Sequence, residues 1–277
     1  MSNQTVLVRI LLLLIVTTAI VAGRFSRTSV SSAQESSAQR PEIQFVEAVS
    51  RGDVEAVNAA LNAGIDPNIR DDKDGEKSTV LMIAAFAGHL KVTGLLLNRG
   101  ADVDAKTPHG RTALMWAALG AHTDVTGALL AKGADVNAVD DNNATALFLA
   151  IQGNGPDTVR LLLKSGARAD ILPKEAGSLW RVIFHSRCDQ CVAALLDGGI
   201  DVNGKDRFGQ TPLMLAVDSA RTSAAKLLLD KGADVHARDS QYRTALTRAR
   251  KKQDQSMIKL LIEYGADSPD TKKRSWP

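Results

Sequence analysis

At 277 residues, with 44% hydrophobic but only 4% aromatic side chains, the chain has the apolar content of a folded protein and must build its core from Ala, Leu, Val and Ile. Its formal charge of +3 comes from Arg9, Arg24, Arg27 and Arg40 set against Glu35, so residues 41–277 are neutral overall. That balance leaves no general attraction for phosphate and sets nucleic acid aside as a partner.

The first segment runs from polar Met1–Thr5 through Arg9 and the apolar Ile10–Ala22 to a Ser-rich stretch ending at Arg40. This order predicts a secretory signal over 1–23, with small residues that place cleavage after Gly23 or as late as Ala33. The alternative is an uncleaved anchor over residues 6–22, interrupted by Arg9 and at the short end of a spanning helix. Either way the remainder is expected outside the cytoplasm, periplasmic, secreted or tethered to a membrane. Residues 24–40, rich in Ser, Gln and Arg, read as a flexible linker.

Beyond residue 40 the sequence repeats itself. Gly100, Gly133, Gly166, Gly199, Gly232 and Gly265 recur every 33 residues, and Thr79, Thr112, Thr145, Ser178, Thr211 and Thr244 follow the same period. A third series, Ala84, Ala117, Ala150, Ala216 and Ala249, sits five residues after the hydroxyls and is broken once by Ile183. Leucine triplets such as Leu95–Leu97, Leu161–Leu163 and Leu227–Leu229 form a fourth. Each series has a physical role. The hydroxyl caps a first helix, Ala lets a second helix approach, Leu fills the seam, and Gly ends the second helix in a left-handed conformation.

The stretches TALMWAALGAHTDVTGALLAKGADVNA and TPLMLAVDSARTSAAKLLLDKGADVHA carry a clear likeness: the chain resembles the ankyrin-repeat family. The resemblance implies an all-α solenoid of helix-turn-helix units joined by projecting β-hairpin loops. Seven units are expected, at 41–70, 71–106, 107–139, 140–172, 173–205, 206–238 and 239–267, followed by a loose tail at 268–277. Three extra residues fall in the first hairpin, IRDDKDGEKS. The family's helix-start histidine is replaced here by Met82, Met115, Phe148, Arg181, Met214 and Thr247. Charged residues in TALTRARKKQD read as the polar outer face of a terminal repeat.

Chemistry has few places to reside. Cys188 and Cys191 form a C-x-x-C in the slot that His89 and His122 fill in earlier repeats. In an oxidising compartment the pair reads as a local disulfide, with two free thiols or a thiol redox site as the alternatives. His185 adds a third metal donor, but a closed zinc site needs four. His89 and His122 themselves are read as structural. No catalytic triad, phosphate loop or dinucleotide fingerprint is present, so neither an enzyme nor a cofactor is expected.

What the resemblance implies is a monomeric protein-binding module that uses its concave face. The finger positions are Lys106, His109 and Arg111, then Asp141 and Asn142, then Lys174 and Glu175, then Arg207, Phe208 and Gln210, and last Arg238, Gln241 and Arg243. On the first helices the matching slots hold Phe86, Leu119, Gln152, His185, Asp218 and Lys251. Phe86 and Phe208 stand out as apolar groups at such slots, unless each packs on its neighbouring repeat. Trp116 reads as core. Residues 238–277 carry ten basic and five acidic side chains, which points to a protein partner with an acidic patch at that end.

Overall fold

The computed structural model describes residues 39–71, 75–172, 178–186 and 188–266. The expected signal or anchor, the linker up to residue 38, Lys174, Glu175 and the tail lie outside the described residues.

Among the described residues fourteen helices alternate along the chain. The first helices of the repeats are α1 (Gln39–Arg51), α3 (Val80–Phe86), α5 (Ala113–Leu119), α7 (Ala146–Gln152), α9 (Leu179–Ser186), α11 (Pro212–Asp218) and α13 (Ala245–Lys251). Their partners are α2 (Val54–Asn62), α4 (Leu90–Asn98), α6 (Thr123–Ala131), α8 (Pro156–Lys164), α10 (Asp189–Asp197), α12 (Thr222–Asp230) and α14 (Gln255–Glu263). From α3 on, each first helix packs on the next first helix, and from α2 on each second helix packs on the next second helix. Helices stacked in series in this way make an all-α solenoid.

The hydroxyl series starts these helices. The side-chain oxygens of Thr79, Thr112, Thr145, Thr211 and Thr244 accept from the amides of Met82, Met115, Phe148, Met214 and Thr247 at 3.3–3.4 Å. Ser178 does the same for Arg181 at 3.3 Å. Each such cap contributes about 1 kcal/mol. Second helices in the middle of the stack begin without a side-chain cap, whereas Asp53 and Asp254 cap the outermost pair, α2 and α14.

The seam between helices is built from small and branched aliphatic residues. The alanine series is wholly buried, and so are Leu96, Leu129, Leu162, Leu195, Leu228 and Leu261 along the second helices. Burying one leucine stabilises by roughly 2 kcal/mol, and the period repeats that contribution in every unit. Packing is closest at Gly153, where an added Cβ would stand 2.1 Å from the Leu119 carbonyl oxygen of the preceding repeat.

Polar side chains tie consecutive repeats together at two levels. After each second helix the chain turns, and there Asn137 donates to the Gly166 carbonyl (3.2 Å) and accepts from the Arg168 amide (2.8 Å). Asn203 repeats both bonds with Gly232 and Asp234, and Asn68 repeats them with Gly100 and Asp102. At the junction between first and second helices, the His89 Nε2 pairs with the Ser50 carbonyl (3.1 Å) and the His122 Nε2 with that of Phe86 (2.9 Å). In the same slot further on, Arg221 pairs with Asp189 instead.

The fingers differ from a uniform set of hairpins. The first, which holds the insertion, has a short antiparallel ladder of β1 (Arg70–Asp71) and β2 (Ser78–Thr79), with Arg70 opposite Thr79 and Asp71 opposite Ser78. In the later fingers a side chain at the base closes the loop. Thr107, Asp140, Asp206 and Asp239 each accept from the amides two and four residues ahead. One oxygen holding two amides shapes the turn without a ladder.

Candidate protein-binding surface

Two pairs of fingers are joined tip to tip by backbone bonds. The His109 carbonyl accepts from the Asp141 amide (3.0 Å), and the Phe208 carbonyl accepts from both the amide and the hydroxyl of Ser240 (3.0 and 2.8 Å). The sequence positions expected at the tips therefore fall into two groups, with Lys174 and Glu175 of the intervening finger outside the described residues.

In the first group Lys106, His109, Asp141 and Asn142 are exposed, and the His109 Nδ1 stands 3.5 Å from the Asp141 carboxylate. Arg111 is already engaged, lying 5.1 Å over the Trp116 ring with its Nε 3.7 Å from the buried Asp140 carboxylate. Phe86 is half-buried because its ring meets Trp116 edge to face at 5.4 Å. Trp116 packs on the core but is itself only half-buried, so it forms the floor of this region.

In the second group Arg207, Phe208, Arg238 and Gln241 are exposed, and Arg207 lies 4.8 Å over the Phe208 ring. Phe208 is 48% exposed. Sequence reasoning passed over Tyr242, which is 78% exposed and has a φ of +58°. Three other fingers place Gly110, Asn143 and Gly209 at that left-handed position and the first places Lys77 there; a side chain with a Cβ costs about 1 kcal/mol in it. The available signal was the slot itself, two residues before the helix-capping threonine.

Behind these tips lies a network of charges. Arg248 on α13 bonds to the carboxylates of Asp218 and Asp239, and its side chain is 7% exposed. Arg243 joins through its Nε to Asp239 at 2.8 Å, and the Lys252 ammonium reaches the Asp218 carbonyl. The Gln210 amide, with its oxygen toward the guanidinium, accepts from Arg248 at 3.0 Å and donates to Asp206 at 3.2 Å. Burial pushes the Asp239 carboxyl up, but bonds from the Arg243 backbone and side chain, the Gln241 amide and Arg248 outweigh it. The result is a carboxylate held well below its ordinary pKa.

This network corrects one reading of the sequence. Arg248 belongs to no outer polar face. It fills the slot of Leu149 and Leu215 and points back into the stack, where two carboxylates replace the missing hydrocarbon. The outward positions are Thr247 and Arg250, which stand where Met214 and Val217 are buried one repeat earlier. They line a shallow cavity of about 500 Å³ at the end of the stack, with Leu246 and Val235 in its wall. Lys251 is exposed, whereas of the expected sites Arg243, Gln210, Arg111 and Phe86 are engaged in contacts within the chain.

Cys188 and Cys191 are wholly buried at the start of α10, their sulfurs bonded and their Cα atoms 5.2 Å apart. His185 is exposed at the end of α9, its Nδ1 on the Arg181 carbonyl at 2.6 Å. Among the described residues no group of three or more His, Cys, Asp or Glu could hold a metal ion, and no helix is long and apolar enough to cross a membrane.

A family model described as ankyrin repeats (3 copies) matches residues 45–140, 95–175 and 179–272. No curated protein matches the sequence significantly. Among solved structures, the chain is similar to the human ASB11 ankyrin repeat domain, at 24% identity and a TM-score of 0.68 over 81% of this chain and 98% of that one. It is similar at 27% identity to the ankyrin repeat domain of Bcl-3, of the IkappaB protein family, with a TM-score of 0.65 over 79% and 97% of the two chains. A third likeness, again at 27% identity, is to a chain in the complex of the Bd0816 predatory endopeptidase from Bdellovibrio bacteriovorus with immunity protein Bd3460, with a TM-score of 0.57 over 67% and 98%. With the period, the capped helix pairs, the fingers and the matched family model in agreement, the chain belongs to the ankyrin-repeat family, whose members are protein–protein interaction modules and generally not catalysts.

Proposed function

We propose that this chain is an exported, non-catalytic scaffold that acts as a monomer and holds another protein against its fingers and the concave face of its first helices. The observation that carries the reading is the division of labour along the repeats. Caps, seams and asparagine ties are committed to holding the stack, while Lys106, His109, Asp141, Asn142, Arg207, Phe208, Arg238 and Gln241 are left exposed on two pairs of fingers, each pair joined by backbone bonds. Rigid, exposed, chemically mixed side chains are what a binding surface requires.

The thiol-redox alternative asks a sulfur to reach a substrate, and neither buried cysteine offers one, which favours the binding reading. A membrane-anchored form differs from the free one only in residues 6–22. Mass spectrometry of the mature N-terminus separates them, with a start between residues 24 and 34 expected for the exported soluble protein. The likeness to an endopeptidase–immunity complex supports one form of the proposal, in which the protein held is an enzyme.

The central test places a photo-crosslinking benzoylphenylalanine at Gln152, on the exposed end of α7, or at Asn142 on the finger above it, and illuminates the native cell envelope. Capture of one and the same identified protein at both positions is expected. Absence of any captured protein at either position would remove the reading.

A further inference from the structure

The geometry points to a more specific device: we infer that Phe208 and Tyr242, flanked by Arg207 and Arg238, form a clamp for an extended acidic segment of a protein partner. The inference rests on the protein-binding reading above and names the chemistry of its partner.

Tyr242 is the starting point. The residue is 78% exposed, so the chain gains little packing from it, yet it occupies a left-handed backbone position that Gly110, Asn143 and Gly209 fill in three other fingers and Lys77 in the first. A residue that accepts backbone strain while burying so little of its side chain points to a contact outside the chain. Phe208, the other exposed aromatic among the described residues at this end, sits on the adjoining finger. The two tips cannot drift apart freely, because Ser240 donates twice to the Phe208 carbonyl and the backbone at Gly209 approaches Ser240 so closely that a Cβ would stand 3.0 Å from its amide. Two aromatic rings are thus presented on a preorganised base.

Charge identifies the occupant. Arg207 covers the Phe208 ring, and Lys205 and Arg238 are exposed on the same two fingers, the Lys205 ammonium donating to the Arg238 carbonyl at 3.4 Å. Of the acidic residues in the same fingers, Asp201 and Asp234 are exposed at the bases, where they accept from the Asn203 and His236 amides, and the two nearer the tips are occupied internally. Asp206 holds the Phe208 and Gln210 amides, and Asp239 holds two amides and two guanidinium groups with its side chain only 1% exposed. Near the tips the exposed charge is therefore cationic around aromatic rings, although the fingers as a whole carry balanced formal charge because Asp201 and Asp234 lie exposed at their bases. A segment with carboxylates spaced by apolar side chains complements it.

The test uses the whole purified chain and three fluorescein-labelled twelve-residue peptides, alternating Glu–Leu, Gln–Leu and Lys–Leu, read by fluorescence anisotropy. Binding of the Glu–Leu peptide alone is expected, weakened at least about tenfold by Tyr242→Gly and by the double change Arg207→Gln with Arg238→Gln. Tyr242→Gly is also expected to melt at the same or a higher temperature, because it relieves the backbone. The inference is overturned if the Glu–Leu peptide fails to bind, if the Gln–Leu peptide binds equally, if Tyr242→Gly binds as well as the parent, or if Tyr242→Gly lowers the melting temperature. Crosslinking from position 152 keeps the two proposals apart. A protein captured there with no acidic-peptide binding at the fingers leaves the scaffold reading standing and removes only the clamp.

Discussion

Arg248 and Asp239 form an ion pair inside the last two repeats, with side chains 7% and 1% exposed. The pair occupies a place that leucine fills elsewhere in the stack, and Asp218 completes it from the preceding repeat. Removing one partner from a buried pair leaves the other charge uncompensated, which is far costlier than replacing both. Arg248→Ala is therefore expected to destabilise the C-terminal repeat by about 3 kcal/mol. Hydrogen exchange should show the loss in α13 and α14 and leave α3 to α8 protected.

The same pair sets a pH dependence. The Asp239 carboxyl is held below its ordinary value of 3.8 in the fold, so its contribution is fully present above that pH and is lost as pH falls toward the depressed value. Denaturation curves from pH 7 down to pH 2 should show the parent losing its advantage over Asp239→Asn only below about pH 4. An advantage that instead disappeared between pH 5 and 7 would show that another group controls this end.

Asparagine ties should be separable from core packing. Asn137→Ala removes one donor and one acceptor between repeats and is expected to cost about 1–2 kcal/mol in urea unfolding. Asp104 stands in the corresponding slot and accepts from the Asp135 amide at 2.9 Å, but its carboxylate has no proton to give the Gly133 carbonyl. Asp104→Asn should therefore stabilise, by up to about 1 kcal/mol.

Close approach of neighbouring repeats at Gly153 gives a sharper test of the stack. Gly153→Ala places a methyl against the Leu119 carbonyl, which can move only with its helix, and is expected to cost about 1–3 kcal/mol. Gly100→Ala meets open space and should show only the cost of its left-handed φ of 87°, about 1 kcal/mol.

The cysteine bond closes a loop of only three intervals, so reducing it removes little unfolded-chain restriction. Its loss is expected to lower stability by no more than about 2 kcal/mol. Once reduced, both thiols should react with a thiol reagent at the rate of local opening, far slower than an exposed cysteine, because each is fully buried.

The periodic part of the structure was legible because each recurring residue has one local task. Thr112 must cap α5, Ala117 must admit its neighbours, and Gly133 must end the turn after α6, so spacing alone revealed their roles. Departures were harder to read. Arg248 looks like surface in composition, and only its register with Leu149 and Leu215 shows that it points inward. The turn-closing series Asp140, Asp206 and Asp239 has the same period of 33 as the glycines, yet aspartate in a loop reads as ordinary solvated charge until its amide partners are seen. Tyr242 was hidden for a related reason: its left-handed backbone is a property of the slot, and the residue type gives no hint of it. The exposed candidates at the fingers followed from the register, but Arg111, Gln210 and Arg243 did not reveal that their guanidinium or amide groups already had partners.

Every polar tie described joins a repeat only to the one beside it: Asn137 to Gly166, His122 to Phe86, Arg248 to Asp218. The one covalent crosslink lies within a single unit. A load applied at the two ends of the stack is therefore carried by links in series, and the weakest junction gives way before the rest. Mechanically the stack is a spring, whose compliance adds up from one junction to the next and is adjusted by changing any one of them.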